Sequence, residues 1–191
     1  MVIVMVQKLP MTSEDLDRLE VIAMTYPKDS DHYRVFMILR YTGMHVCCLY
    51  RKESRIKEIQ RNGHTHIKWF RPMKGKIKGV KNLWEILPGI IKHNKIDFNV
   101  EEYYNQMANR RRKTGNMYFY RIIKEIGDRG GLSDISPNTL RHSLAVYLIE
   151  DVRLSYQDVA DLLGCSIQTL HKHYAKVGKK AVDDRLVKAG W

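Results

Sequence analysis

The sequence predicts a mainly helical domain that carries one small antiparallel β-sheet, an α+β fold. Three observations point there. Apolar residues recur at helical spacing through most of the chain, beginning with Leu16, Leu19, Ile22 and Ala23. One stretch, residues 54–83, turns instead to short alternating apolar positions such as Ile67 and Trp69, between turn signals at Asn62-Gly63 and Lys74-Gly75-Lys76. No internal repeat or low-complexity linker divides the 191 residues, so a single domain over 1–191 is expected.

The elements follow in order. "MVIVMVQKLP", residues 1–10, is apolar but far shorter than the ~20 residues a bilayer span needs, and it lacks a small-residue cleavage site. An early strand or a packed arm is expected there. Thr12 and Ser13, followed by acids, cap a first helix that Pro27 stops. Ser30 and Asp31 cap a second, apolar nearly all round and therefore central and buried, with a break near Gly43. Residues 54–83 form two or three strands rich in Lys and Arg. "NLWEILPGIIKHN", residues 82–94, reads as a short helix or pair of turns interrupted by Pro88. Residues 99–113 and 115–131 read as two helices joined near Thr114-Gly115, the second closed by Gly130-Gly131. Ser136 caps the next helix, with Pro137 at its first position. Residues 155–164 and 166–177 give two more, and residues 180–191 a C-terminal tail.

Composition bounds the function. Apolar residues make up 44%, enough for a core, which excludes a disordered tail. Lys and Arg outnumber Asp and Glu by 33 to 21, a net charge of +12. The basic residues recur at 51–61, 71–81, 110–113 and 171–188. That spread suits a folded groove for a polyanion, with nucleic acid foremost, against the plainer reading of a basic protein with no such partner. The three Cys, at 47, 48 and 165, form no CxxC, and adjacent Cys47 and Cys48 are a poor disulfide pair. A reducing, intracellular setting with no membrane attachment is expected.

Residues 154–176 first read as a helix-turn-helix. Ala160, Gly164 and Leu170 supply a small residue, a turn and an apolar anchor, which lets two helices cross closely and the second enter a major groove. A helix-turn-helix transcription factor is accordingly one function class.

A wider pattern points elsewhere. Asn138-Thr139-Leu140-Arg141-His142-Ser143, then Leu163-Gly164-Cys165-Ser166, then Thr169 through Tyr174-Ala175, resembles the C-terminal signature of the tyrosine recombinases, the phage-type integrase family. "TSEDLDRL" resembles that family's opening helix, "ILRYTGMHVCCLYR" its T-G-x-R helix, and "RPMKGKIKGV" its Lys-bearing hairpin. The resemblance implies the recombinase catalytic-domain fold without the family's N-terminal core-binding domain. It also implies site-specific cleavage and rejoining of duplex DNA through a 3′-phosphotyrosine, as in DNA integration by a virus, plasmid or other mobile element. No metal or other cofactor is implied, because the phosphotyrosine stores the bond energy.

Carried over residue by residue, the resemblance makes Tyr174 the nucleophile, Arg141 a phosphate-binding Arg, and Lys74 the acid for the leaving 5′-oxygen. Such a site needs cationic donors placed before reaction. Arg71, Lys76, Lys78, His142, His171, Lys172 and His173 are expected to contact DNA. Three positions depart from the family pattern. His45 replaces the Arg of T-G-x-R, Asn138 replaces the first His, and Cys165 replaces a His or Trp. His45 brings a donor without a bidentate fork, Asn138 a donor without charge, and Cys165 an apolar filler. Arg40 and Arg51, each more than a turn from His45 along the same helix, are candidates for the missing charge. The active site is therefore expected to be incomplete, with a catalytically impaired DNA-binding or regulatory relative as the alternative. The tail, with Leu186, Val187 and Trp191, is expected to dock on a neighbouring subunit, in a protein monomeric in solution and oligomeric on DNA.

Overall fold

A helix apolar nearly all round organises the fold. The computed structural model describes residues 11–51, 54–72, 84–86, 90–107 and 111–171, as backbone alone for 71–72, 84–86 and 111–114. The expected N-terminal arm, the Lys74-Gly75-Lys76 turn and the tail lie outside the described residues. Helix α1 (Ser13–Met24) opens with a reciprocal cap. The Thr12 hydroxyl accepts from the Asp15 N–H, and the Asp15 carboxylate accepts from the Thr12 N–H. It buries Leu16, Leu19 and Ala23. Helix α2 (Asp31–Thr42) is capped by Ser30 and buries Val35, Phe36, Met37 and Ile38 completely. It packs on α1 and on two later helices, which explains its lack of a polar stripe. Gly43 ends it in the left-handed region, at φ +60°. A single turn, α3 (Cys47–Tyr50), follows.

Strands β1 (Arg55–Arg61) and β2 (His64–Pro72) form a hairpin in register from Arg55 opposite Phe70 to Arg61 opposite His64. Asn62 and Gly63 both take positive φ, 51° and 74°, as a tight two-residue turn requires. Ile56, Ile67 and Trp69 point into the core. Residues 82–94 depart from expectation. They contain two short strands, β3 (Trp84–Ile86) and β4 (Ile90–Ile91), where a short helix or pair of turns was expected. Both pair antiparallel with β2, on the side away from β1. The physical reason is tertiary: β2 offers an open edge, the run is rich in β-branched residues, and Pro88 bars a continuous helix.

The remainder is helical. Helix α4 (Val100–Gln106), capped by Asn99, stops short of the expected Lys113. Helix α5 (Arg111–Arg129) contains a non-helical Gly115, at φ 54° and ψ −169°, so the expected junction is present. Helix α6 (Pro137–Glu150) begins with reciprocal bonds between Ser136 and Thr139. It joins the two apolar clusters. Leu140 sits in the large core around α2, whereas Leu144, Ala145 and Leu148 pack with Val159, Ala160, Leu163 and Leu170. Helix α7 (Tyr156–Leu163) ends at Gly164, φ 64°, and the Cys165 N–H returns to the Ala160 carbonyl. That is a Schellman closure. Ser166 then caps a helical segment over 167–171, accepting from the Thr169 N–H. Among the described residues no helix is long and apolar enough to cross a membrane.

Candidate functional site

Arg141 is 7% exposed, in the second turn of α6. A guanidinium cannot shed its charge, so burial demands acceptors. Two helix C-termini supply them. Nη1 donates to the Gly43 carbonyl at 2.6 Å, where α2 ends, and Nη2 donates to the Leu163 carbonyl at 2.8 Å, where α7 ends. The last carbonyls of a helix lack intrahelical partners and carry its negative dipole end. One cation therefore locks three helices. Gly43 also permits the approach: a Cβ there would stand 2.8 Å from Leu163 Cδ2 and 2.9 Å from Leu144 Cδ2.

Above this lock lies a cavity of about 250 Å³, lined by His45, Asn138, Arg141, His142, Leu163, Cys165, Thr169 and Leu170. None of these lining residues is acidic. Asn138 is the second residue of α6, so the positive end of that helix faces the same space. A guanidinium, two imidazoles, an amide and a helix N-terminus on one side suit an anion with several oxygens. Among the described residues, no group of three or more His, Cys, Asp or Glu is placed to hold a metal ion.

The cavity brings together five residues singled out in the sequence: His45, Asn138, Arg141, His142 and Cys165. Cys165 owes its place to the Schellman closure and packs partly buried against the second cluster. His171 is exposed and lies outside the cavity lining. Its ring stacks on Tyr156, centroids 4.7 Å apart and planes within 7°. That stack, with buried Leu170, holds the helical segment over 167–171. Tyr174, Lys74, Lys76, Lys78, Lys172 and His173 lie outside the described residues, as does the side chain of Arg71.

The expectation for Arg40 and Arg51 needs correction. Gly43 ends α2 before His45, so neither Arg shares a helix with it. Arg40 lines a different cavity, and Arg51 follows α3 and lines neither. Neither lines the cavity that His45 lines. Sequence reasoning missed the two carbonyls that hold Arg141, and Thr169 on the cavity wall. The Gly residues after α2 and α7 were the available signal.

No protein-family signature and no curated protein sequence matches the chain. Solved structures do. The XerA recombinase structure superposes with a TM-score of 0.61 at 17% identity, over 97% of this chain and 66% of that one. The XerH site-specific recombinase bound to palindromic difH substrate, a post-cleavage complex, gives 0.59 at 14% identity, over 94% and 53%. The XerH pre-cleavage complex with difH substrate gives 0.55 at 15% identity, over 92% and 54%. The chain shares their fold, and it spans between about half and two thirds of their length.

Proposed function

We propose that this chain is a tyrosine recombinase-like catalytic domain acting on duplex DNA inside the cell, with an incomplete phosphate site. The observation that carries the reading is the cavity over the Arg141 lock. Four residues from two separate sequence motifs, Asn138, Arg141, His142 and Cys165, meet His45 there, on a fold shared with site-specific recombinases. The reaction assigned to it is a transesterification. The Tyr174 oxygen attacks phosphorus and gives its proton to solvent water as the bond from phosphorus to the 5′-oxygen breaks. The 5′-oxygen departs and takes a proton from Lys74. Arg141, His45, Asn138 and the α6 N-terminus stabilise the equatorial oxygens. Rejoining reverses each step, so atoms and charge balance without metal or nucleotide. Arg71, Lys76, Lys78, His142, His171, Lys172 and His173 supply backbone contacts. Residues 180–191 dock on a neighbouring subunit assembled on the same DNA, and integration of a mobile element is the setting such chemistry serves.

One observation favours a second reading, a DNA-binding relative without chemistry. His45, Asn138 and Cys165, the three departures from the family pattern, all line the cavity. One suicide-substrate experiment separates the two. A nicked duplex traps a covalent adduct with the wild type, slowly, and Tyr174→Phe abolishes trapping while DNA affinity is kept. Restoring the fork with His45→Arg raises the trapping rate by up to about 10², the worth of one preorganised donor. No adduct from either protein, on DNA that both bind, leaves the non-catalytic reading. Fast trapping by the wild type, unchanged in His45→Arg, shows that another group completes the site.

A further inference from the structure

A second cavity, of about 390 Å³, lies between α1, α2, α6 and the β4 edge, and among the described residues it shares no lining residue with the first. Ile90, Leu144 and Leu148 form its apolar part, with Ile91 (52% exposed) and Tyr147 (41% exposed) at the rim, and its polar lining includes Asp17, His93 and Lys95. One wall carries Arg40, which is 8% exposed. Its Nε is buried without a hydrogen-bond partner, and no ion pair among the described residues includes it. Its guanidinium only overlies the Tyr41 ring, 5.2 Å from the centroid.

The neighbouring charges do not neutralise it. Glu20 is already engaged by the Tyr41 hydroxyl and Lys95 Nζ. His93 stacks on Tyr41 at 4.0 Å, and its Nδ1 accepts from the Lys95 N–H, so it adds no charge in this arrangement. Asp17 lines the cavity but is exposed to water. A nearly buried guanidinium without a counter-ion is costly. Here it faces a space whose volume falls in the ~300–1,000 Å³ range of small-molecule sites.

We propose that this cavity binds a small carboxylate that carries an apolar body. The planar Arg40 fork matches a carboxylate, and the Leu144, Leu148 and Ile90 walls match a short aliphatic chain or a ring. A bare phosphate would leave those walls unfilled. Nothing in this assignment depends on Tyr174 or on DNA.

Calorimetric titration of the full chain with octanoate, and with 1-octanol as the uncharged counterpart, tests it. Saturable octanoate binding is expected, with 1-octanol about tenfold weaker or more, as for loss of a charge-assisted hydrogen bond. Arg40→Met should weaken octanoate to the same degree, and Asp17→Asn should strengthen it by removing a competing carboxylate. Arg40→Met removes an unpaired charge and should melt no lower than wild type. Should it fail to fold, Ile91→Glu, at an exposed position, must still weaken octanoate. Equal binding of octanoate and 1-octanol overturns the assignment. So do octanoate binding indifferent to Arg40 and the absence of saturable binding at millimolar concentration. A synthetic peptide of residues 181–191 that binds where octanoate does not would make the cavity a protein-docking groove instead, and also overturns it.

Discussion

Replacing Arg141 separates what this residue does for the fold from what it does for phosphate. In Arg141→Met the Gly43 and Leu163 carbonyls lose their donors, formed at 2.6 and 2.8 Å in a site only 7% exposed. Each hydrogen bond from a charged donor contributes about 1.5–3 kcal/mol. Met fills much of the same space and is cheaper to bury than a cation, which returns part of that loss. The net expectation is a destabilisation of about 3 kcal/mol. For a chain of this size that corresponds to a fall in Tm of roughly 6–12 °C. Arg141→Lys keeps the charge but has no fork to reach both carbonyls at once, so it should lose about half as much. Urea melts, followed by tyrosine fluorescence and by far-UV circular dichroism together, give both values and check that the transition is two-state. If Arg141→Met is as stable as the wild type, the two helix ends are not held by the guanidinium, and the lock described above is wrong. If both variants lose stability as expected while DNA affinity is unchanged, Arg141 holds the cavity together without contributing to docking.

Three further outcomes follow from the same geometry. Gly43→Ala places a Cβ at φ +60° against Leu163 and Leu144; backbone strain of about 1 kcal/mol and overpacking of about 1–3 kcal/mol should lower stability in the urea melt, and an unchanged midpoint would remove the close approach. Acidification should destabilise the fold in two stages. His93 is held below the ordinary imidazole range, first by burial and then by Lys95, so the unfolded chain binds more protons and stability falls as the pH drops from about 6.5. The Lys28 ammonium and then the Tyr33 hydroxyl hold Asp97 below the usual carboxylate range, which adds a second loss once the pH falls below about 4; His93→Phe, which keeps a ring on Tyr41, should remove the upper stage, and a melting profile still sloping between pH 7 and 5 would refute the assignment. Finally, Tyr156→Ala breaks the stack on His171, worth about 0.5–1.5 kcal/mol, and should slow covalent trapping more than DNA binding, with Tyr156→Phe near wild type; equal losses in binding and trapping would deny that the stack positions the segment leading to Tyr174.

Much of this fold was legible from local signals. Thr12, Ser30 and Ser136 announce their helices because a capping side chain bonds a backbone N–H only three residues away. Asn62-Gly63 marks its hairpin because the turn itself requires positive φ. The apolar surround of α2 foretold its central burial. The elements that went astray depend on distant partners. Trp84–Ile86 and Ile90–Ile91 become strands because β2 has an edge to pair, a fact absent from their own sequence. Within the site, the sequence supplied the residue types and the order of the motifs, and hence five of the side chains that line the cavity. It did not supply the bonds that hold them. Arg141 is fixed by carbonyls 98 and 22 residues away along the chain, and a carbonyl has no side-chain signature. Arg40 and His45, five positions apart, serve different cavities because one left-handed glycine turns the chain between them. The types of donor are written locally; which of them share a space is set by where the helices end and what they pack against.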